Sequence, residues 1–175
     1  MGTIKVHEFT TLDGVIDAPT WTFDFPFDPK MGDAIADLMG GCKSILLGRR
    51  TFEMFAPAWS QRTAADDPGA PFMNDSPKYV VGTTPPSVEW SSSTVIGPYD
   101  AAAIQRLKDE VGGDGDIYVS GSGTLVRAML ADGLVDELHL FVFPLTVGSG
   151  PAAGAVRSLS APPTKMRGGP WPTFS

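Results

Sequence analysis

Cysteine is almost absent from this sequence of 175 residues: Cys42 stands alone, so no disulfide can form within the chain. Histidine is also scarce, and because His7 and His139 lie outside any HxxxH or CxxC pattern, no metal site is predicted. Both lie in alternating apolar segments and are interpreted as strand residues. Long apolar runs are missing too, since none reaches the roughly 20 residues of a membrane-spanning helix. Without a basic-then-apolar leader, the chain is expected to be cytoplasmic and to have no membrane role.

Positive charge is the second shortage. Lys and Arg number 13 against 20 Asp and Glu, the net charge is −7, and the longest basic run is Arg49-Arg50. Because nucleic-acid binding requires a surface that neutralises several phosphates, no nucleic-acid partner is expected. The 20 glycines and 16 prolines stay below the share of about 25–30% that marks low-complexity chains. The length fits one hydrophobic core.

Short β-rich runs alternate with helical patterns, which predicts a layered α/β domain with a largely parallel sheet. Helical spacing is found over 31–39, after Gly48, after Asp100 and over 125–130. The Pro- and Asp-rich stretch that ends at Ser76 is interpreted as a loop, and TWTFDFPFDP as an edge segment or a covering flap. Strands are expected in six segments, the last of them buried on both faces: IKVHEF, SILLG, KYVVG, STVIG, DIYVS and ELHLFVFPL.

Two strand-to-helix junctions carry the small residues of a phosphate-binding turn. They are Gly48–Thr51 and Gly121–Thr124. A helix N-terminus offers unpaired N–H donors and a partial positive charge, and glycine lets a phosphate approach the backbone. The first junction adds two guanidinium groups and a hydroxyl. Glycines that only form tight connections, beside solvated arginines, give the same pattern, so both interpretations stay open at this point.

Several well-known nucleotide and hydrolase motifs do not occur. The second junction reads G-x-G-x-x-V, without the third small residue of the Rossmann fingerprint. No G-x-x-x-x-G-K-[ST] sequence occurs, which argues against kinases and ATPases of that type. Ser120 and Ser122 do not form G-x-S-x-G, so a serine hydrolase is disfavoured.

Four separately spaced motifs, in family order, resemble the dihydrofolate reductase-like superfamily: Leu47–Glu53, Lys78–Val81 with Thr83-Thr84, Tyr118–Leu125 and Gly133–Leu138. Leu12-Asp13-Gly14 after the first strand and Phe143-Pro144-Leu145 near the end agree with the same pattern. More narrowly, residues 3–150 resemble stand-alone proteins similar to the reductase half of the bifunctional riboflavin-biosynthesis deaminase-reductase. The H-x-E and P-C-x-x-C residues of the zinc deaminase half do not occur, so a bifunctional enzyme is not expected.

This resemblance implies a three-layer α/β fold with a mixed, mainly parallel central sheet and helices on both faces. It also implies a reductase that binds NADPH along the carboxyl edge of the sheet. Hydride would pass to a small heterocyclic substrate of the ribosylaminopyrimidine or pterin type. The resemblance assigns the adenosine phosphates to Gly48, Arg49, Arg50 and Thr51. It assigns the 2′-phosphate to Thr83 and Thr84. The pyrophosphate is assigned to Gly121, Ser122, Gly123, Thr124 and Leu125.

The same resemblance suggests residues on the substrate side. Asp13 and Gly14 would lie beside the nicotinamide and the substrate, with Asp13 bonding a polar edge, although a plain turn gives the same dipeptide. Trp21 would wall an apolar pocket that excludes water, and its alternative is a core patch. Asp33 is the nearest equivalent of the acidic residue that helps protonate a pterin, and its alternative is a helix N-cap or first-turn charge.

The last 28 residues differ in character from the rest. The reductase domain is therefore assigned to 1–147, and 148–175 to an atypical Gly- and Pro-rich tail of the same domain. A shortened tail would leave an edge strand unpaired, which favours a homodimer or lower stability. The alternative to a reductase is a nucleotide-binding protein without turnover, and a third interpretation is a structural or interaction domain.

Overall fold

The computed structural model describes residues 2–16, 19–111, 113 and 115–148. Six strands of this part of the chain form one sheet: β1 Ile4–Thr11, β2 Cys42–Gly48, β3 Lys78–Val81, β4 Ser93–Gly97, β5 Asp116–Val119 and β6 Glu137–Phe143. Their order is β4-β3-β2-β5-β1-β6, and each pair of neighbours is parallel. All six carboxyl ends therefore lie along the same edge of the sheet.

Helices pack against both faces of this sheet. Their bounds are α1 Pro29–Gly40, α2 Arg49–Trp59, α3 Ala70–Asp75, α4 Ala101–Val111 and α5 Gly123–Ala131. The first three bury Leu38, Phe52 and Met73 in one core cluster. The last two bury Ile104, Leu107, Val126 and Met129 in a second cluster. The sheet thus separates two hydrophobic cores, which gives the three layers expected from the sequence.

The central strands are apolar on both faces because each face meets helices. In β2, the buried side chains of Ile45 and Leu47 belong to the core cluster of α1, α2 and α3, whereas Leu46 belongs to the cluster of α4 and α5. In β5, Tyr118 lies on the first face and its neighbour Ile117 on the second. Continuous apolar sequence in these strands therefore follows from their position in the middle of the sheet.

The predicted α/β class, the parallel sheet and the six strand segments are confirmed. Every pairing within the described residues is parallel, so the antiparallel strand that a mixed sheet implies is not found in that part of the chain. His7 and His139 are strand residues, as expected, and they are register partners on β1 and β6. The atypical tail assigned to 148–175 lies outside the described residues except for Gly148.

Three local predictions were wrong. The stretch before Ser76 contains α3, where Pro71 supports the first turn and the side chain of Met73 is buried. Strand β6 is not buried on both faces: Leu140 and Val142 remain 41% and 37% exposed because β6 is the outer strand of the described sheet. The aromatic stretch forms a short 3-10 turn, Thr20–Asp24, so its interpretation as an edge segment was wrong, whereas the alternative of a covering flap stays open.

The connections after the central strands leave the sheet toward opposite faces. β1 and β2 lead to α1 and α2 on one face, whereas β5, which lies between β1 and β2, leads to α5 on the other face. Such a reversal opens a crevice at the carboxyl ends of the strands, the usual ligand site of open α/β sheets. In the part of the chain described above, no helix combines the length and apolarity needed to cross a bilayer.

A buried lysine ties α3 to the start of β3 and β4. The Nζ atom of Lys78 donates to the carbonyl oxygens of Asn74, Ser76 and Ser91 at 2.8, 2.9 and 2.9 Å, and it lies 4.7 Å from the ring centroid of Trp90. This ammonium group is thus the common donor of three loop carbonyls.

Replacement Lys78→Met is expected to lower the free energy of unfolding by about 2–4 kcal/mol, because three carbonyls lose their donor while the volume is kept. Denaturant titration followed by circular dichroism measures the loss. Lys43→Met, on exposed β2 surface, is the matched control. Equal stability of the two variants would contradict the role given to Lys78.

Candidate active site

The two glycine junctions meet at the carboxyl edge. The backbone N–H of Gly48 donates to the carbonyl oxygen of Gly121 at 3.5 Å. A Cβ atom on Gly48 would collide with the Ser122 hydroxyl, and one on Gly121, whose φ is +82°, would lie 3.0 Å from Thr51 Oγ1. The residue type at both positions is therefore fixed by the close approach of β2 to β5 and by the left-handed backbone at Gly121.

Two helix N-termini leave their backbone donors without a side-chain cap at this point. The residues before α2 and α5, Gly48 and Ser122, cap neither helix by a side-chain bond. In contrast, α1 begins with Asp28, whose carboxylate accepts from Lys30 N–H at 2.9 Å. Because α2 and α5 follow parallel strands, both N-termini lie at the carboxyl edge. Their free N–H groups and positive dipole ends suit an anion with more than one phosphate.

The cationic and hydroxyl residues of the first junction have different surroundings. Arg49 Nη1 donates to both carboxylate oxygens of Glu53 at 3.0 and 3.1 Å, and Glu53 Oε1 also accepts from Ser87 N–H at 2.9 Å. Arg49 therefore braces the loop after β3. Arg50 is exposed and forms no ion pair within the described residues, so its guanidinium group is available to a ligand.

The other residues assigned to the cofactor surround the same crevice. Thr51 is buried beside Gly121, as described above. Thr83 and Thr84 are exposed just after β3, where Gly82 approaches the Arg49 side chain closely. Gly123 begins α5, and Leu125 is buried in the core beneath it, while Thr124 is exposed. The fold thus brings the three predicted groups to one edge of the sheet.

The carboxylate of Asp13 accepts several hydrogen bonds at the end of β1. Its carboxylate accepts from Thr11 Oγ1 at 2.5 Å and from the N–H groups of Val147 and Gly148 at 3.2 and 2.8 Å. These donors, with the Thr11 hydroxyl first, hold the pKa of Asp13 below its usual range. Gly14 adopts a φ of +80° in the turn that follows. The carboxylate therefore joins the β1 turn to the segment after β6.

The loop after β1 also reaches the start of α5. The Cδ1 atom of Ile16 lies 2.7 Å from the position that a Cβ on Gly123 would take. This contact places the loop that contains the Asp13-Gly14 turn directly against the second glycine junction. The close packing again depends on the absence of a side chain on the glycine.

Trp21 and Asp33 lie farther along the connection to α1. The Trp21 ring contacts Phe143 edge to face at a centroid distance of 5.1 Å, which places it over the end of β6. Asp33 is exposed on α1 and makes no hydrogen bond or ion pair within the described residues. The fold therefore joins Trp21 to an aromatic surface but gives Asp33 no partner at the crevice.

Two buried ionisable residues of β1 were not singled out from the sequence as site residues. His7 Nδ1 lies 2.8 Å from the Tyr118 hydroxyl, and burial, with a smaller effect of His139, lowers the pKa of His7 to about 4. Burial raises the pKa of Glu8 to about 7, although nearby Arg127 opposes the shift. The sequence did contain a signal for them, the pair His7-Glu8 inside an apolar strand. Because consecutive residues of a strand point to opposite faces, and both faces of β1 are buried, this pair indicates one buried ionisable group on each face.

Comparison with known proteins places this fold in a family. A model of the RibD C-terminal domain matches residues 3–167. The chain belongs to the RibD C-terminal domain family. It is 28% identical over 147 residues to the uncharacterized protein YyaP of Bacillus subtilis, covering 80% of this chain and 73% of that protein. Membership confirms the resemblance inferred from the four motifs.

Solved structures show the same fold. A putative riboflavin biosynthesis protein from Shewanella sp. PV-4 superposes with a TM-score of 0.67 at 20% identity, covering 90% of this chain and 86% of that one. Dihydrofolate reductase from Enterococcus faecalis, in complex with NADP(H), gives a TM-score of 0.53 at 14% identity, covering 86% and 76%. The dihydrofolate reductase-like fold expected from the sequence is thus confirmed.

The buried carboxyl group of Glu8 makes stability depend on pH. Its pKa of about 7 lies above the ordinary 4.5, so the folded state holds the proton that the unfolded chain releases as the pH rises from 4.5 to 7. Glu8→Gln removes this effect. Relative to wild type, we expect the variant to gain about 3 kcal/mol of unfolding free energy across that window.

Denaturant titrations at a series of pH values measure this difference. Glu110→Gln, on the exposed surface of α4, is the matched control for loss of one carboxylate. A difference between Glu8→Gln and wild type that stays constant with pH would contradict a buried, protonated Glu8.

Proposed function

We propose that this protein is a cytoplasmic NADPH-dependent reductase that transfers hydride to a small heterocyclic substrate of the ribosylaminopyrimidine or pterin type. The observation that carries this proposal is that two helix N-termini without a side-chain cap meet where Gly48 lies against Gly121 and Ser122. A dinucleotide with several phosphates requires several backbone donors at one place, and this edge supplies them. Membership of the RibD C-terminal domain family and the fold shared with an NADP(H)-bound reductase support the same conclusion.

The residues present fit this cofactor. The glycine cradle Gly121–Leu125 and the α2 start at Gly48–Thr51 would hold the phosphates through backbone N–H groups and the Thr51 hydroxyl. Arg50, with Thr83 and Thr84 after the neighbouring strand β3, would bind the 2′-phosphate, since a guanidinium group forms a bidentate pair with phosphate. Arg49 would orient this side through its bonds to Glu53. When bound, NADPH supplies the hydride.

The chain's own residues would prepare the substrate side. In this proposal Asp13 fixes the β1 turn against residues 147–148, so that Gly14 lets the substrate approach the edge closely. Trp21 packs on Phe143 and excludes water from the reacting atoms. Asp33 keeps the proton-supplying role that the resemblance gives it, although it is exposed on α1 and forms no ion pair within the described residues.

A nucleotide-binding protein without turnover is the second candidate. One observation favours it: the Asp13 carboxylate accepts several hydrogen bonds and is held ionised, so it cannot donate a proton. Asp33 makes no contact with the crevice in the described residues. Binding without reduction is the behaviour that such an arrangement favours.

Titration of the purified protein with NADPH and NADH, followed by tryptophan fluorescence, tests the cofactor site. Arg50→Ala is expected to weaken NADPH binding about 10- to 100-fold, the value of one charge-assisted hydrogen-bonded pair, and to leave NADH nearly unchanged. Arg49→Ala should weaken both cofactors because it releases the loop that Glu53 holds. Arg106→Ala, on α4, is the control.

Absence of NADPH binding at millimolar concentration would refute the proposed function. Binding with equal losses of NADPH and NADH in Arg50→Ala would refute the assignment of the 2′-phosphate. Turnover separates the two candidates: oxidation of NADPH that saturates with a pyrimidine or pterin substrate identifies a reductase, and binding without oxidation identifies the second.

A further inference from the structure

A buried carboxyl group lies on β1, on the side of the sheet that carries α5. Ile4 and Val6 of this strand belong to the core cluster of α4 and α5, and because side chains alternate along a strand, Glu8 points to the same face. Val6 is the register partner of Val119, the last residue of β5. Glu8 therefore lies at the level of the second glycine junction, which leads from β5 into α5. Its side chain is enclosed there, since 9% of the residue is exposed.

Arg127 connects this carboxyl group with the second glycine junction. Its Nη1 atom lies 3.4 Å from the position that a Cβ on Gly123, one turn earlier in α5, would take. Side chains of a helix lean toward its N-terminus, and this direction brings the half-buried guanidinium group back to the first turn. The charge of Arg127 also acts on Glu8, where it opposes the rise of the pKa that burial causes. One cation thus interacts with the buried acid and borders the N–H groups that begin α5.

The other elements around Glu8 supply no second cation within the described residues. The Oε1 atom of Glu8 is buried and accepts no hydrogen bond there, and its register partner on β6 is the apolar Leu140. The lysine of α4, Lys108, is paired with Asp136, which also accepts from the N–H of the first residue of β1. On β5 the ionisable neighbour is Tyr118, whose pKa burial raises, so its phenol is neutral. The protonation of Glu8 therefore depends on burial and on the position of the Arg127 charge.

A phosphate group at the start of α5 would change this balance. A guanidinium group has several N–H donors and forms bidentate pairs with phosphate, so Arg127 can direct its charge to the anion. The Glu8 carboxylate then loses part of its counter-charge and meets an additional negative charge nearby. Both effects favour the protonated carboxyl group, because two anions repel each other strongly where little water screens them.

We propose that Arg127 is a phosphate-binding residue of the second glycine junction and that Glu8 is its internal partner, which takes up a proton from solvent when the anion binds. The proposal rests on the cofactor site of the proposed function and adds a cationic side chain to a cradle of small residues. Glu8 touches no ligand and acts through Arg127, so it is a positioning residue. Its ionised form holds the guanidinium group inward, and its protonated form releases that group to the phosphate.

Inorganic pyrophosphate is the probe for this proposal, because it presents phosphate groups without an adenosine or a nicotinamide. Carbon NMR of the full chain with ¹³C-labelled glutamate follows the titration of the Glu8 carboxyl group, and Glu8→Gln assigns its signal. We expect the pKa of Glu8 to rise from about 7 to about 8 when pyrophosphate saturates the protein. The titration of Glu110, exposed on α4, is the internal control and should stay unchanged.

Two variants separate the phosphate contact from the proton. Arg127→Gln removes the charge and is expected to weaken pyrophosphate binding about 5- to 20-fold, whereas Arg106→Gln, exposed on α4, is the matched control. Glu8→Gln stays uncharged at every pH, so it should remove the proton uptake. The affinity of this variant relative to wild type is therefore expected to rise about tenfold between pH 6 and 9, the fold-change that corresponds to the rise in the pKa of Glu8.

The NMR titration uses the wild-type chain, so its result does not depend on the folding of a variant. A Glu8 pKa that stays the same with pyrophosphate, no binding of pyrophosphate, or wild-type binding by Arg127→Gln would overturn the proposal. The NADPH titration is a separate result. If NADPH binds and pyrophosphate leaves Glu8 unchanged, this proposal is refuted and the proposed function stands. If pyrophosphate shifts Glu8 and NADPH does not bind, the phosphate site stands and the proposed function is refuted.

Discussion

The approach of β2 to β5 at their carboxyl ends is the constraint on which the site depends. Gly48 and Gly121 touch through their backbones; a Cβ atom would collide with Ser122 at Gly48 and would strain the left-handed backbone at Gly121. Only because the two strands end side by side can α2 and α5 start next to each other while leaving toward opposite faces. Because Gly48 and Gly121 have no side chains, the backbone N–H groups at the starts of α2 and α5 lie close together. Such a group of donors suits a phosphate.

The neighbouring strand β1 places ionisable groups on both of its faces. Burial lowers the pKa of His7 to about 4 on the α1 face, and burial raises the pKa of Glu8 to about 7 on the face of α4 and α5. The two act on stability in opposite directions: buried His7 costs stability as the pH falls from 6.5 toward 4, and Glu8 costs stability as it rises from 4.5 toward 7. Between pH 4.5 and 6.5 the two groups change the free energy of unfolding in opposite directions. The stability of the wild-type protein therefore varies less with pH than either group alone would make it vary.

How far the sequence predicts this structure depends on the range of the interaction. Strands β2, β3 and β5 are predictable because their apolar runs are buried on both faces, and α4 because Asp100 caps it, accepting from Ala102 N–H at 2.9 Å. Helix α3 is hidden in a polar stretch because one buried methionine and tertiary contacts stabilise its six residues. The exposure of β6 follows from its outer place in the sheet, which no local pattern encodes.

The same argument applies to the site. Glycine turns are visible as motifs because the residue type itself is the requirement. The partners of Asp13, more than 130 positions away in the chain, are set by the parallel pairing of β1 with β6. Likewise, the contact of His7 with Tyr118 requires β5 to lie beside β1, whereas the chain order separates the two residues by 111 positions.

The two halves of the carboxyl edge differ in the groups that they present. The half around α2 and α5 presents mainly backbone N–H groups, whose position depends on the glycine contact and not on particular side chains. The half at the ends of β1 and β6 offers side chains instead, among them Asp13 and Trp21. Side chains there can change without disturbing the glycine contact that holds β2 against β5.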